Sequence, residues 1–226
     1  ARSVPSRTAG NALRHRARVR WCRRMVDPHL DAMSVPYAPV MSEGRPNVLF
    51  ITLDEFRAEC LSAAGHRVVR TPALDDLCAQ GVRFARHYGQ AAPCGPGRAA
   101  LYTGTYQMNN RVVMNGSPLD DRFDNIARAA RRSGYDPVLF GYTDQAIDPR
   151  TVADDDPRLQ TYEGVLPGFR CELDLTRGRE AWADWVRSQG YEMPVDPEKG
   201  LATEPDRPAE VGVSAFLTDR FLEWLP

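Results

Sequence analysis

The run Asn47-Val-Leu-Phe-Ile-Thr-Leu53 constrains the fold more than any other stretch. It has the length of a strand and no polar alternation, the pattern of a strand buried on both faces in a parallel sheet covered by helices. Asp136-Pro-Val-Leu-Phe-Gly141 reads as a second such strand, and Val82-Arg83-Phe84 as a short one. Helices are predicted from Thr71-Pro72 to Gly81, from Asn125 to Arg132, from Arg179 to Arg187 and from Val213 to Leu225. Asp124 is expected to cap the second of these, with Ile126, Ala129 and Ala130 facing inward. Trp182 and Trp185 are expected to pack against the sheet, and the long acidic, Pro-bearing stretch from Thr151 to Leu173 to form a functional loop or an insertion. The order of elements predicts an α/β fold.

Asp54 and Glu55 end the first run, and open α/β sheets place their sites at the carboxyl ends of strands. Their hard oxygens suit Mg²⁺, Ca²⁺ or Mn²⁺, although an acidic pair after a strand is equally an ordinary loop. The chemistry centres on Cys94-Gly-Pro-Gly-Arg98, continued by Ala-Ala-Leu-Tyr-Thr103-Gly104. Gly95 and Gly97 permit close backbone approach, and Pro96 fixes the local φ. Residues 97–103 then turn into a helix whose free N–H groups and positive dipole end favour an anion. The loop reads as a seat for an anionic group. His66 and His87 read as surface or hydrogen-bonded histidines.

Cys-x-Pro-x-Arg followed by x-x-x-x-Thr-Gly resembles the signature of the sulfatases and phosphonate monoester hydrolases of the alkaline-phosphatase-like superfamily, and Cys94, Pro96, Arg98, Thr103 and Gly104 fill each fixed position. The resemblance implies a mixed sheet covered by helices, with residues 46–226 as the N-terminal portion of a catalytic domain, truncated before its C-terminal half. It implies oxidation of Cys94 to formylglycine by a formylglycine-generating enzyme, and Arg98 holding the hydrated aldehyde. It implies a divalent metal (Ca²⁺, Mn²⁺ or Mg²⁺) on Asp54 and Cys94; Glu55 departs from the family's usual neighbour but keeps an oxygen ligand. Met108-Asn-x-Arg111, the Asn115 to Asp120 spacing and the run from Gly134 to Arg150 resemble the phosphonate monoester hydrolase branch most. There Asn115 and Tyr142 would contact substrate. Asp144 stands where that branch has a Thr, and its charge is expected to alter substrate preference.

The implied activity is hydrolysis of phosphonate monoesters, phosphodiesters or sulfate esters, and the implied partners are a small anionic ester and, at full length, copies of the same chain. The chain itself is expected to be an inactive fragment. The alternative is a noncatalytic protein that binds anions with Cys94 unmodified. A net charge of −1 gives no sign of nucleic acid or membrane as a partner. Cys22, Cys60, Cys78, Cys94 and Cys171 lack paired spacing, which points to a reducing, cytoplasmic location. Residues 1–45, with eight arginines and no acid before Asp27, are expected to be a disordered or mis-started leader.

Overall fold

The computed structural model describes residues 45–176 and 179–225, so the leader lies outside the described residues. The chain divides after Ile51 into two units. Within the first, residues 45–51 form no regular structure and their side chains are exposed, Leu49 at 63%. The expected strand is therefore absent there, and Thr52 and Leu53 in the second unit are irregular as well. A strand is held by a ladder of backbone hydrogen bonds to a neighbour. Among the described residues that ladder joins only β1 (Val138–Gly141) and β2 (Arg170–Asp174).

The pairing is parallel, with Val138 opposite Arg170 and Gly141 opposite Asp174, and an irregularity at Leu139/Phe140. β1 lies where the sequence predicts it. β2 corrects the reading of residues 151–173 as a loop or insertion, since the end of that stretch is a strand. Its residues, Arg-Cys-Glu-Leu-Asp, include three charged side chains and are mostly exposed, so no apolar run announces it. Between the strands, Thr143 receives the returning chain: its N–H donates to the Gly164 carbonyl at 3.0 Å, and its hydroxyl accepts from Leu166 N–H at 2.9 Å.

The helices follow their local signals more closely. Helix α1 (Pro72–Gln80) begins with a proline at its first position and stops at Gly81. Helix α2 (Cys94–Thr103) starts three residues earlier than expected, with Pro96 tolerated because first-turn N–H groups have no partner within a helix. It ends at Gly104, whose φ is 66°. A short turn, α3 (Gln107–Asn110), follows.

Helix α4 (Ile126–Arg132) corrects the predicted cap. Asn125 accepts hydrogen bonds from the N–H groups of Ala127 and Arg128, whereas Asp124 pairs with Arg132 at 2.9 Å. The inward face also shifts, with Ala127 buried and Ile126 exposed. Val82–Phe84 forms no strand, and Val82 and Phe84 are exposed.

Two apolar clusters hold the second unit. Ala99 and Tyr102 of α2 pack with Val112, Leu119 and Leu166. In the other cluster Trp182 and Val186 of α5 (Glu180–Ser188) meet Leu175 beyond β2, Val211, and Phe216 of α7 (Val213–Trp224). Trp182 is fully buried and donates its indole N–H to the Val211 carbonyl at 2.9 Å, while Trp185 packs on Phe216 and bonds Asp219. The two tryptophans are packed, but chiefly between α5 and α7 and not against the sheet as expected. Phe221 and Trp224 of α7 close edge-on against Phe140 of β1. A short helix, α6 (Pro197–Leu201), links α5 to the turns before α7. None of the described helices is long and apolar enough to cross a membrane.

Candidate functional site

Cys94 is the first residue of α2 and is half-buried. The glycines beside it serve close approach, since neither has a positive φ. A Cβ on Gly95 would lie 3.1 Å from Asn115 Oδ1, and one on Gly97 would lie 3.0 Å from the Ala91 carbonyl oxygen. Gly95 N–H donates to Asn115 Oδ1 at 2.8 Å, which fixes that amide's orientation because only its oxygen can accept. Gln145 Nε2 donates to the Gly95 carbonyl at 2.8 Å, clamping the same residue from the other side. The free helix-start amides expected from the sequence are thus partly occupied: Gly95 N–H by Asn115, and Gly97 N–H by the Pro93 carbonyl.

One turn along α2, the Arg98 side chain is 11% exposed and its Nη2 lies 2.9 Å from Asp54 Oδ1. Its guanidinium carbon lies 5.0 Å from the centre of the Tyr142 ring, a cation–π distance. The Asp54 carboxylate also acts electrostatically on the Cys94 thiol. Burial raises the pKa of that thiol, and the charges of Asp54 and Asp144 raise it further. Cys94 is therefore a protonated thiol near neutral pH, unlike the thiolates of cysteine nucleophiles. Burial likewise raises the Tyr142 phenol, so it remains a neutral hydroxyl.

Cys94, Arg98, Asn115, Tyr142 and Asp54 thus gather around one turn of helix, although they span residues 54–142 in sequence. Glu55 is not gathered with them on any contact: it is exposed, with a φ of 55°. Among the described residues, no group of three or more His, Cys, Asp or Glu side chains is placed to hold a metal ion. Asp54 is already engaged by Arg98, so the described donors do not by themselves fit a divalent cation, which takes about six or more oxygens.

Asp144, immediately beyond β1 and Tyr142, is 5% exposed and adopts a φ of 55°. Its Oδ2 is buried without a hydrogen-bond partner. Burial pushes its carboxyl up to about 6; the charges of Asp54 and Glu163 act in the same direction, and Arg98 opposes them. Gln145, Glu163 and Arg179 are site neighbours that the sequence reading missed. Arg179 lies 3.9 Å from Glu163, and both enter from beyond a connection whose path no local pattern reveals.

The remaining motif residues do something else. Asp148 accepts from Asp121 N–H and grips Arg150 through both carboxylate oxygens, and Arg150 reaches Asp120 at 2.9 Å. Asp120, Asp148 and Arg150, with Arg111 and Arg122, line a separate open cleft of about 470 Å³. None of the predicted site residues lines it.

Residues 46–222 match the Sulfatase family. The chain belongs to the sulfatase family. It is 39% identical over 198 residues to the multifunctional alkaline phosphatase superfamily protein PehA of Trinickia caryophylli, covering 80% of this chain and 38% of that one. The phosphonate monoester hydrolase of Agrobacterium radiobacter superposes with a TM-score of 0.71 at 47% identity, again over 80% of this chain and 38% of the other. The corresponding enzyme of Silicibacter pomeroyi gives 0.68 at 36% identity, with the same coverage. An N-acetylglucosamine-6-O-sulfatase of Bacteroides thetaiotaomicron is 28% identical over 97 residues, 43% of this chain and 17% of that protein. This sulfatase-family chain therefore spans well under half the length of these relatives, and its fold neighbours are alkaline-phosphatase-like.

Proposed function

We propose that this sulfatase-family chain carries the nucleophile-bearing part of an ester hydrolase that acts on phosphonate monoesters, phosphodiesters or sulfate esters. The observation that carries the reading is the junction of Arg98 with Asp54 and Tyr142 beside Cys94, at 2.9 Å and 5.0 Å respectively. Arg98 is a fixed positive fork suited to a tetrahedral anion, and Tyr142 brings a neutral hydroxyl to the same place. Asn115 holds the start of α2 through Gly95, and its Nδ2 makes no hydrogen bond among the described residues. That amide can donate to an oxygen of the substrate.

A protonated Cys94 thiol is a poor direct nucleophile, which favours its use as the precursor of formylglycine. Formylglycine would supply a hydrated aldehyde, one hydroxyl of which, giving up its proton, would displace the ester's alcohol from sulfur or phosphorus, while deprotonation of the other would expel the bound anion and restore the aldehyde. Arg98 would orient that diol and hold the developing charge. Dependence on Ca²⁺, Mn²⁺ or Mg²⁺ belongs to the same proposal, with Asp54 contributing one carboxylate. So do maturation by a formylglycine-generating enzyme, a cytoplasmic location and self-association of the full-length enzyme. We assign turnover to a longer catalytic unit, and expect the chain alone to be inactive.

Mass spectrometry of the peptide spanning Cys94, after coexpression with a formylglycine-generating enzyme, tests this reading. The expected product is the aldehyde or its hydrate. Intact thiol throughout would overturn it and favour a noncatalytic anion-binding protein.

A further inference from the structure

Asp144 reaches its position through the backbone. The left-handed φ of 55° at the end of β1 turns its side chain back into the molecule, where Oδ2 is buried with no donor to satisfy it. A buried acceptor without a partner is rare in folded proteins and calls for an explanation. The charge of Asp144 is felt by Cys94, Arg98, Tyr102 and Tyr162, the groups surrounding the start of α2.

The cations near it are already engaged. Arg98 is paired with Asp54 at 2.9 Å, and Arg179 lies 3.9 Å from Glu163 and donates to the Leu175 carbonyl. Three acids, Asp54, Asp144 and Glu163, therefore face two arginines. Coulomb repulsion grows with the product of the charges, so a ligand with two negative charges meets twice the penalty of a ligand with one. Burial weakens the screening that would otherwise hide the difference.

We propose that Asp144 is a specificity-determining residue that sets the charge the seat accepts: it admits tetrahedral groups bearing one negative charge, as in sulfate monoesters, phosphodiesters and phosphonate monoesters, and disfavours doubly charged phosphate monoesters. The proposal rests on the start of α2 being an anion seat and goes beyond that reading by assigning the discrimination to one carboxylate.

The test compares binding of phenyl sulfate and phenyl phosphate to the full chain by calorimetry at about pH 8, where a phosphate monoester carries two charges. Two variants accompany the wild type. Asp144→Asn keeps the shape and tolerates the left-handed backbone, and Asp144→Gly adopts it freely, whereas a β-branched Thr would be strained there. The wild type should bind phenyl sulfate more tightly. Both variants should tighten phenyl phosphate by about tenfold or more and phenyl sulfate by about threefold or less, as expected when one nearby unit charge is removed. An unchanged ratio in both variants, or no binding of either ester to any form, would overturn the proposal. Binding is read without turnover, so a failure here leaves the hydrolase reading to be judged by the mass of the Cys94 peptide.

Discussion

Two apolar runs of similar composition, Asn47–Leu53 and Val138–Gly141, each lead to an aspartate of the site, yet they have different fates. The second is a strand: β2 supplies its ladder, and Phe140 is covered by Phe221 and Trp224 of α7. The first has no regular structure, and Leu49 is 63% exposed. The two aspartates differ accordingly. Asp144, after the paired run, is 5% exposed with an orphaned oxygen, whereas the Asp54 side chain is 41% exposed and satisfied by Arg98. An apolar run is a capacity to form a strand, and a partner backbone with a covering layer realises it.

The largest effect that sharpens this contrast should come from the cluster beside β2. Trp182→Ala removes a fully buried indole and its bond to Val211, and should cost about 3–5 kcal/mol in denaturant unfolding. Leu49→Ala, in the irregular run, should change stability by less than about 0.5 kcal/mol. A comparable loss from both would break the comparison.

A smaller difference is expected at the helix that precedes β1. Asn125→Ala removes the acceptor for two helix-start N–H groups and the bond to the Pro167 carbonyl, and should lower stability by about 1–2 kcal/mol. Asp124→Ala, which loses only a surface pair with Arg132, should cost about 0.5 kcal/mol or less. Equal losses in thermal melts would restore Asp124 as the cap.

The smallest effect concerns the buried aspartate. Its pKa is raised on folding to about 6, so its contribution to stability is full below its ordinary value of 3.8 and is lost as pH rises through about 6. Between about pH 4 and pH 7 the wild type should lose about 1 kcal/mol relative to Asp144→Asn, with solvent screening allowed for. Parallel curves across that range, measured by urea unfolding, would show that the carboxyl ionises as freely as an exposed one.

The helices were legible because their signals are local. Thr71-Pro72 and Gly81 bracket α1, and Gly104 ends α2 where a left-handed residue is needed. The Cys94 to Gly104 signature was legible for the same reason, its spacing lying within ten residues or so of one helix. Asn125 was missed as a cap because Asp124 beside it has equal propensity, and only the Pro167 carbonyl decides between them. β2 was missed because three of its five residues are charged and most are exposed.

By itself, then, the sequence determined the limits of α1, the position of β1 and the Cys94 to Gly104 signature, all of which depend on neighbours a few positions apart. The tertiary structure decided which apolar run became a strand, that Gln145 clamps Gly95, and that Asp144 is buried while Asp54 meets Arg98. Those outcomes depend on backbone partners and covering side chains brought together from distant parts of the chain, and no local pattern encodes which of them will arrive.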